Sequence, residues 1–176
     1  ARNVLRPALD LKPVSPEVFA LQAVLAVAAG AHDQVETSEA QYIKSARERG
    51  VEFGPTVSGL TNLYAYLGFP YDAIRACREA IAVQSDVPEL RDVLGDLWWQ
   101  QGEPDSAEAE YGHALRLDST RYSVHRKLGK LYESRADTAR ALREYSRYLA
   151  ADSTSVTAAK IRSRVAELKE SEKNGP

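Results

Sequence analysis

Two short segments recur after 34 residues: RLDST ends at Thr120 and AADST ends at Thr154. The interval carries through most of the chain. It aligns Leu60, Leu94 and Leu128, then Thr61, Gly95 and Gly129, then Tyr64, Trp98 and Tyr132. Further columns are Gly68, Gly102 and Ala136; Ala73, Ala107 and Ala141; Cys77, Tyr111 and Tyr145; and Ala80, Ala114 and Tyr148. A fixed period of this length describes a unit that cannot bury its apolar face alone, so neighbours must stack. Small residues at 95, 129 and the alanine columns allow two helices to approach closely. Large residues at 64, 98 and 132 are expected to fill the space beside them.

The spacing resembles the tetratricopeptide repeat, a helix–turn–helix unit with Leu-Gly, Tyr, Ala, aromatic and Pro at set positions. Three units cover 54–87, 88–121 and 122–155 without insertions. One column departs from the pattern. Ser85, Ser119 and Ser153 stand where the family has proline, and a serine hydroxyl can cap the following helix instead. The resemblance implies an all-α fold, a right-handed α-solenoid of such repeats closed by a C-terminal capping helix.

The flanks fit a finite array. SPEVFALQAVLAVAAG reads as a helix with Ser15 as N-cap, Pro16 at the first helical position and Gly30 as the stop. ETSEAQYIKSARERG reads as a second helix ending at Gly50. Residues 15–50 thus form a helical pair whose columns match poorly, either a degenerate repeat or a separate element. Residues 156–173 place Val156, Ile161, Val165 and Leu168 on one stripe with charges elsewhere, as a capping helix requires. Residues 1–14, with prolines at 7 and 13, fit neither pattern and read as an extended arm, lying on its own solenoid or on a partner.

Composition narrows the function. The net charge of -2, with both signs interspersed, argues against a nucleic-acid binder. The single cysteine, Cys77, excludes an internal disulfide and a cysteine metal cluster. The longest uncharged run, from Val18, is too short for a membrane span, so no direct membrane insertion is expected. Both cytoplasmic and periplasmic locations fit. The first residue, Ala1, reads as a processed or trimmed terminus. Heavy use of alanine, with arginine over lysine, suggests a GC-rich bacterial source.

The two tryptophans, Trp98 and Trp99, are adjacent and point about 100° apart on a helix. Trp98 shares the column of Tyr64 and Tyr132 and is expected in the core of its own helix pair. In the family the first helix of each unit lines a concave groove, and Trp99 falls on that side. It either anchors a partner or packs on the next repeat beside Glu133 and Tyr66.

The same register assigns Ser58, Asn62, Ala65 and Tyr66 to the groove, then Glu89, Asp92, Asp96 and Gln100 beside Trp99, then Ser123, Arg126, Lys127, Lys130 and Glu133. This makes the middle acidic and the C-terminal part basic. Two readings follow. Asp92 pairs with Arg126 and Asp96 with Lys130 across the floor, or the groove is dipolar and orients a peptide. The carboxylate clamp that some family members use on chaperone tails is not reproduced. Asn62 and Lys127 match it, but Ser58, Val93 and Ser123 do not.

Catalysis and cofactors are not expected. Glu89, Asp92 and Asp96 share a helical face that could hold a cation, yet no nucleophile–base pair accompanies them. His32, His113 and His125 fall in different columns without metal-ligand spacing, and the last two read as surface residues. Cys77 sits in a core column. The sequence therefore points to a non-catalytic protein-interaction module, a scaffold, adaptor or assembly factor binding a peptide or partner segment in its groove. The alternative is a permanent structural subunit of a larger complex, membrane-associated or not, held by its arm and outer faces.

Overall fold

The computed structural model describes residues 16–48 and 53–173. The extended-arm reading of 1–14, the Ser15 cap and the Gly50 stop lie outside the described residues. Nine helices follow one another among those residues: α1 (Pro16–Ala29), α2 (His32–Glu48), α3 (Phe53–Tyr66), α4 (Pro70–Val83), α5 (Pro88–Gln100), α6 (Pro104–Leu117), α7 (Tyr122–Ser134), α8 (Thr138–Ala151) and α9 (Val156–Lys173). They stack as an α-solenoid in which α3/α4, α5/α6 and α7/α8 are the repeating pairs. α9 closes the array against α8.

The boundaries follow from local chemistry. Pro70, Pro88 and Pro104 each open a helix, where the missing amide costs no intrahelical bond. Gly30, Gly68, Gly102 and Ala136 take positive φ, the left-handed turn that ends the first helix of each pair. Gly30 lies thirty-eight residues before Gly68, against 34 between the later turns. The first pair is thus out of phase by about one helical turn, which is why its columns fail to align. α2 also starts at His32, earlier than the sequence suggested.

The serine column does not cap. Val87 and Arg121 occupy the N-cap positions of α5 and α7 without a side-chain cap bond. The preceding aspartates organise the connections instead. Asp118 Oδ1 accepts from the Thr120 amide (2.9 Å) and hydroxyl (2.6 Å). Asp152 accepts from the Ser155 amide (3.1 Å) and hydroxyl (2.5 Å), and Ser155 Oγ then accepts from the Ala158 amide (3.0 Å) at the start of α9. A carboxylate accepts several donors at once, which suits a turn with many unpaired amides.

Within each unit a small residue faces a large one. A Cβ placed on Gly95 would stand 2.5 Å from Tyr111 Cε1, and one on Gly129 would stand 2.5 Å from Tyr145 Cδ1. Tyr111 and Tyr145 are fully buried, so these rings, and not Trp98 or Tyr132, occupy the space beside the glycines. In the first unit the columns hold Thr61 and Cys77, both fully buried, with the larger partner on the other helix. Cys77 donates its thiol to the Leu90 carbonyl (3.2 Å), and burial pushes its pKa up to about 12, so it is not a reactive thiol near neutrality.

The buried apolar residues form two clusters. One spans α1 to α5, and the other spans α6 to α9. Trp98 is only partly buried and packs against both. It therefore bridges the two clusters from a half-buried position and is not a fully interior residue. Buried Glu39 on α2 ties the N-terminal pair to the first repeat through Arg75 of α4, which donates to both of its oxygens.

Gly95→Ala should destabilise by about 1–3 kcal/mol, because the added methyl meets a ring with no room to move. Replacing Tyr111 by Cys in the same chain, as in the first unit, should return part of that loss in denaturant unfolding. Trp98→Ala should cost about 3 kcal/mol and separate the unfolding of the two halves. A single cooperative transition with an unchanged midpoint would contradict its place between the cores.

Candidate functional site

Trp98 and Trp99 face different neighbours from α5. Trp98 lines a cleft with Ile81, Ala82 and Leu94, whereas Trp99 opens into a hollow between α5 and α7. That hollow, 240 Å³ in volume, is lined by Asp96, Trp99, Tyr111, Arg126, Lys127 and Lys130. Trp99 keeps 36% of its surface exposed. Lys130 also lines a second hollow of 460 Å³, with Glu133, Ser134, Tyr145, Ile161 and Arg164.

The charges on this face are organised by ion pairs between units. Lys127 Nζ donates to Asp92 Oδ1 and to Asp96 Oδ2, both at 2.6 Å. Tyr111 donates its hydroxyl to Asp96 Oδ1 (2.7 Å). Arg121 donates to Glu89 and stands 3.5 Å from Asp92. Asp92 is only 7% exposed, so these partners offset a real desolvation cost. Further along, Glu133 accepts from the Tyr145 hydroxyl (2.8 Å) and from Arg164 (2.7 Å). The Arg164 and Tyr145 bonds hold the Glu133 carboxyl below its ordinary pKa despite its burial.

Two expectations change in detail. The aspartates do pair across the floor, but with Lys127 and Arg121, not with Arg126 and Lys130. Long side chains reach past the residue in register. The middle of the groove is consequently not an acidic surface, since each carboxylate there already has a donor. For the same reason Glu89, Asp92 and Asp96 do not form a cation site, and no metal-binding group of His, Cys, Asp and Glu occurs among the described residues.

Of the residues assigned from sequence, Asp96, Trp99, Arg126, Lys127 and Lys130 meet in one hollow, and Glu89 and Asp92 join its ion-pair network. Asn62 and Tyr66 are exposed on α3 and do not line it. Sequence reasoning missed Arg121, Tyr111 and Arg164. Their charge or hydroxyl was visible, but each enters from outside the first-helix positions used to define the groove.

His125 is a correction. It is not a surface residue: its side chain is 16% exposed and its Nδ1 lies 2.8 Å from Glu144 Oε2. The equivalent positions one unit earlier are Arg91 and Glu110, paired at 2.9 Å, and in the first unit the buried Val57 and Ala76. His113 is more exposed and stands 3.5 Å from Glu110.

No protein-family model matches the sequence, and no curated protein matches it. Solved structures do resemble the fold. The MamA protein superposes with a TM-score of 0.62 at 19% identity, over 88% of this chain and 82% of that one. TTC0263, a thermophilic tetratricopeptide-repeat protein of Thermus thermophilus, gives 0.60 at 22% identity, over 95% and 88%. The first such domain of Spaghetti (RPAP3), bound to the HSP90 peptide SRMEEVD, gives 0.59 at 15% identity, over 65% and 93%.

Lys127→Met should cost about 1–3 kcal/mol, because it leaves the buried Asp92 carboxylate short of a donor. In a double-mutant cycle with Asp92→Asn the loss should fall, and strict additivity in urea unfolding would show that the pair is not coupled.

Proposed function

Because the chain has the tetratricopeptide-repeat fold, we infer that it is a non-catalytic protein-interaction module. It takes a partner segment into the hollow between α5 and α7. The observation that carries this reading is Trp99, a large aromatic side chain left 36% exposed at the wall of a concave, charge-lined hollow. Aromatic residues held in such hollows serve as binding anchors because burial of their remaining surface is favourable and costs little side-chain entropy. The peptide bound by the superposable Spaghetti domain supports a segment as the class of ligand.

A second reading is favoured by α1. Its sequence carries no charge after Glu17, and Leu21 (53% exposed) and Ala28 stand on its outward side, whereas α9 at the other end is charged there. Apolar side chains left exposed on one side of a solenoid helix mark a surface that a partner can cover. It suits a subunit built permanently into a larger complex. No described helix is long and apolar enough to cross a membrane.

Pull-down from native extract separates the two. Trp99→Ala should abolish capture of the partner while shifting the thermal midpoint by little. A partner retained by Trp99→Ala, lost by Leu21→Glu and co-purifying in fixed ratio would establish the subunit reading instead.

A further inference from the structure

Resting on the groove reading above, we propose that the hollow between α5 and α7 binds the side-chain carboxylate of an internal acidic segment of a partner protein. The segment's neighbouring apolar residue lies against Trp99.

Internal pairing on this face leaves positive charge over. On this face Glu89, Asp92, Asp96 and Glu133 are all satisfied within the chain, and satisfying them uses Arg121, Lys127, Tyr111, Tyr145 and Arg164. Two cations remain. Arg126 and Lys130 are one turn apart on α7, both line the hollow, and neither makes an ion-pair or hydrogen-bond contact with a described residue, though the Lys130 charge helps to lower the Glu133 carboxyl pKa from a distance. Arg126 is also partly buried. A guanidinium partly withdrawn from water without a counter-ion is costly, and a ligand anion removes that cost. Two donors a helical turn apart suit one carboxylate group, and Trp99 on the facing wall supplies the apolar contact beside it.

The setting selects among anions. Asp96 and Glu133 border the cations and disfavour a dianionic phosphate or a polyphosphate backbone more than a single carboxylate. The neighbouring hollow of Tyr145 and Ile161, which shares Lys130 as a wall, gives the chain room to continue past the carboxylate. A segment interior therefore fits, and a free chain end is not needed.

The test is selection of a random peptide library, both termini blocked, on the full chain. Measured affinities of the selected peptides for charge variants follow. Asp or Glu beside an aliphatic or aromatic residue should be enriched. Arg126→Gln and Lys130→Gln should each weaken binding roughly tenfold, with the salt dependence reduced. Arg126→Glu combined with Lys130→Glu should turn the preference to Lys- and Arg-containing peptides, with unchanged circular dichroism showing that the fold persists. Three outcomes overturn the proposal yet leave the groove reading standing: Trp99-dependent peptides that are neutral or basic, peptides bound only when phosphorylated, or peptides indifferent to both neutralisations. If no peptide depends on Trp99, both fall.

Discussion

In the second and third units the distance between the two helices is set by a tyrosine ring resting on a glycine. Gly95 receives Tyr111 and Gly129 receives Tyr145, with no room for even a methyl group. This contact fixes how closely α5 meets α6 and α7 meets α8, and so where α5 and α7 stand relative to each other. The tyrosine hydroxyls extend the same contact into the groove, because Tyr111 donates to Asp96 and Tyr145 to Glu133. One side chain thus packs the core at its ring and orients a groove carboxylate at its tip. Burial and these carboxylates together push both phenol pKa values well above the ordinary range, so the hydroxyls stay donors at any physiological pH.

That coupling explains the electrostatics of the groove. A carboxylate fixed by a tyrosine from behind can hold a lysine from the next unit in front, as Asp96 holds Lys127. Interactions of this kind are worth more than exposed pairs because both partners are pre-positioned and partly out of water. They also use up the negative charge. What faces solvent between α5 and α7 is an aromatic wall and two unspent cations, a different surface from the dipolar one that a residue count along the helices describes.

Much of the fold was legible because a repeat enforces its own register. From α4 to α8 every helix begins and ends where the 34-residue interval puts it, and Trp99 falls on the groove side as that register requires. Three things were not legible. The first helical pair is out of phase by a turn, and a fixed interval cannot see an insertion. Trp98 shares a column with the buried tyrosines, but its indole is larger than their rings, stays half-buried and touches both clusters. The ion pairs join residues 31, 32 and 35 positions apart, not 34, because flexible side chains choose partners by reach. His125 belongs with these, since only comparison with Arg91 and Glu110 one unit earlier reveals that its column is a pairing position.

The glycine and the tyrosine that meet always come from the same unit, whereas Lys127 and the aspartates it holds come from different ones. The two kinds of contact therefore divide the labour of heredity. A duplicated unit carries its own glycine–tyrosine contact with it, so the spacing of its two helices is inherited intact, while the apolar faces between units must still match their new neighbours. The order of the units is another matter: it is written in the charges across their junctions, and a shuffled array would fold its pairs correctly and then assemble them into a groove with the wrong face.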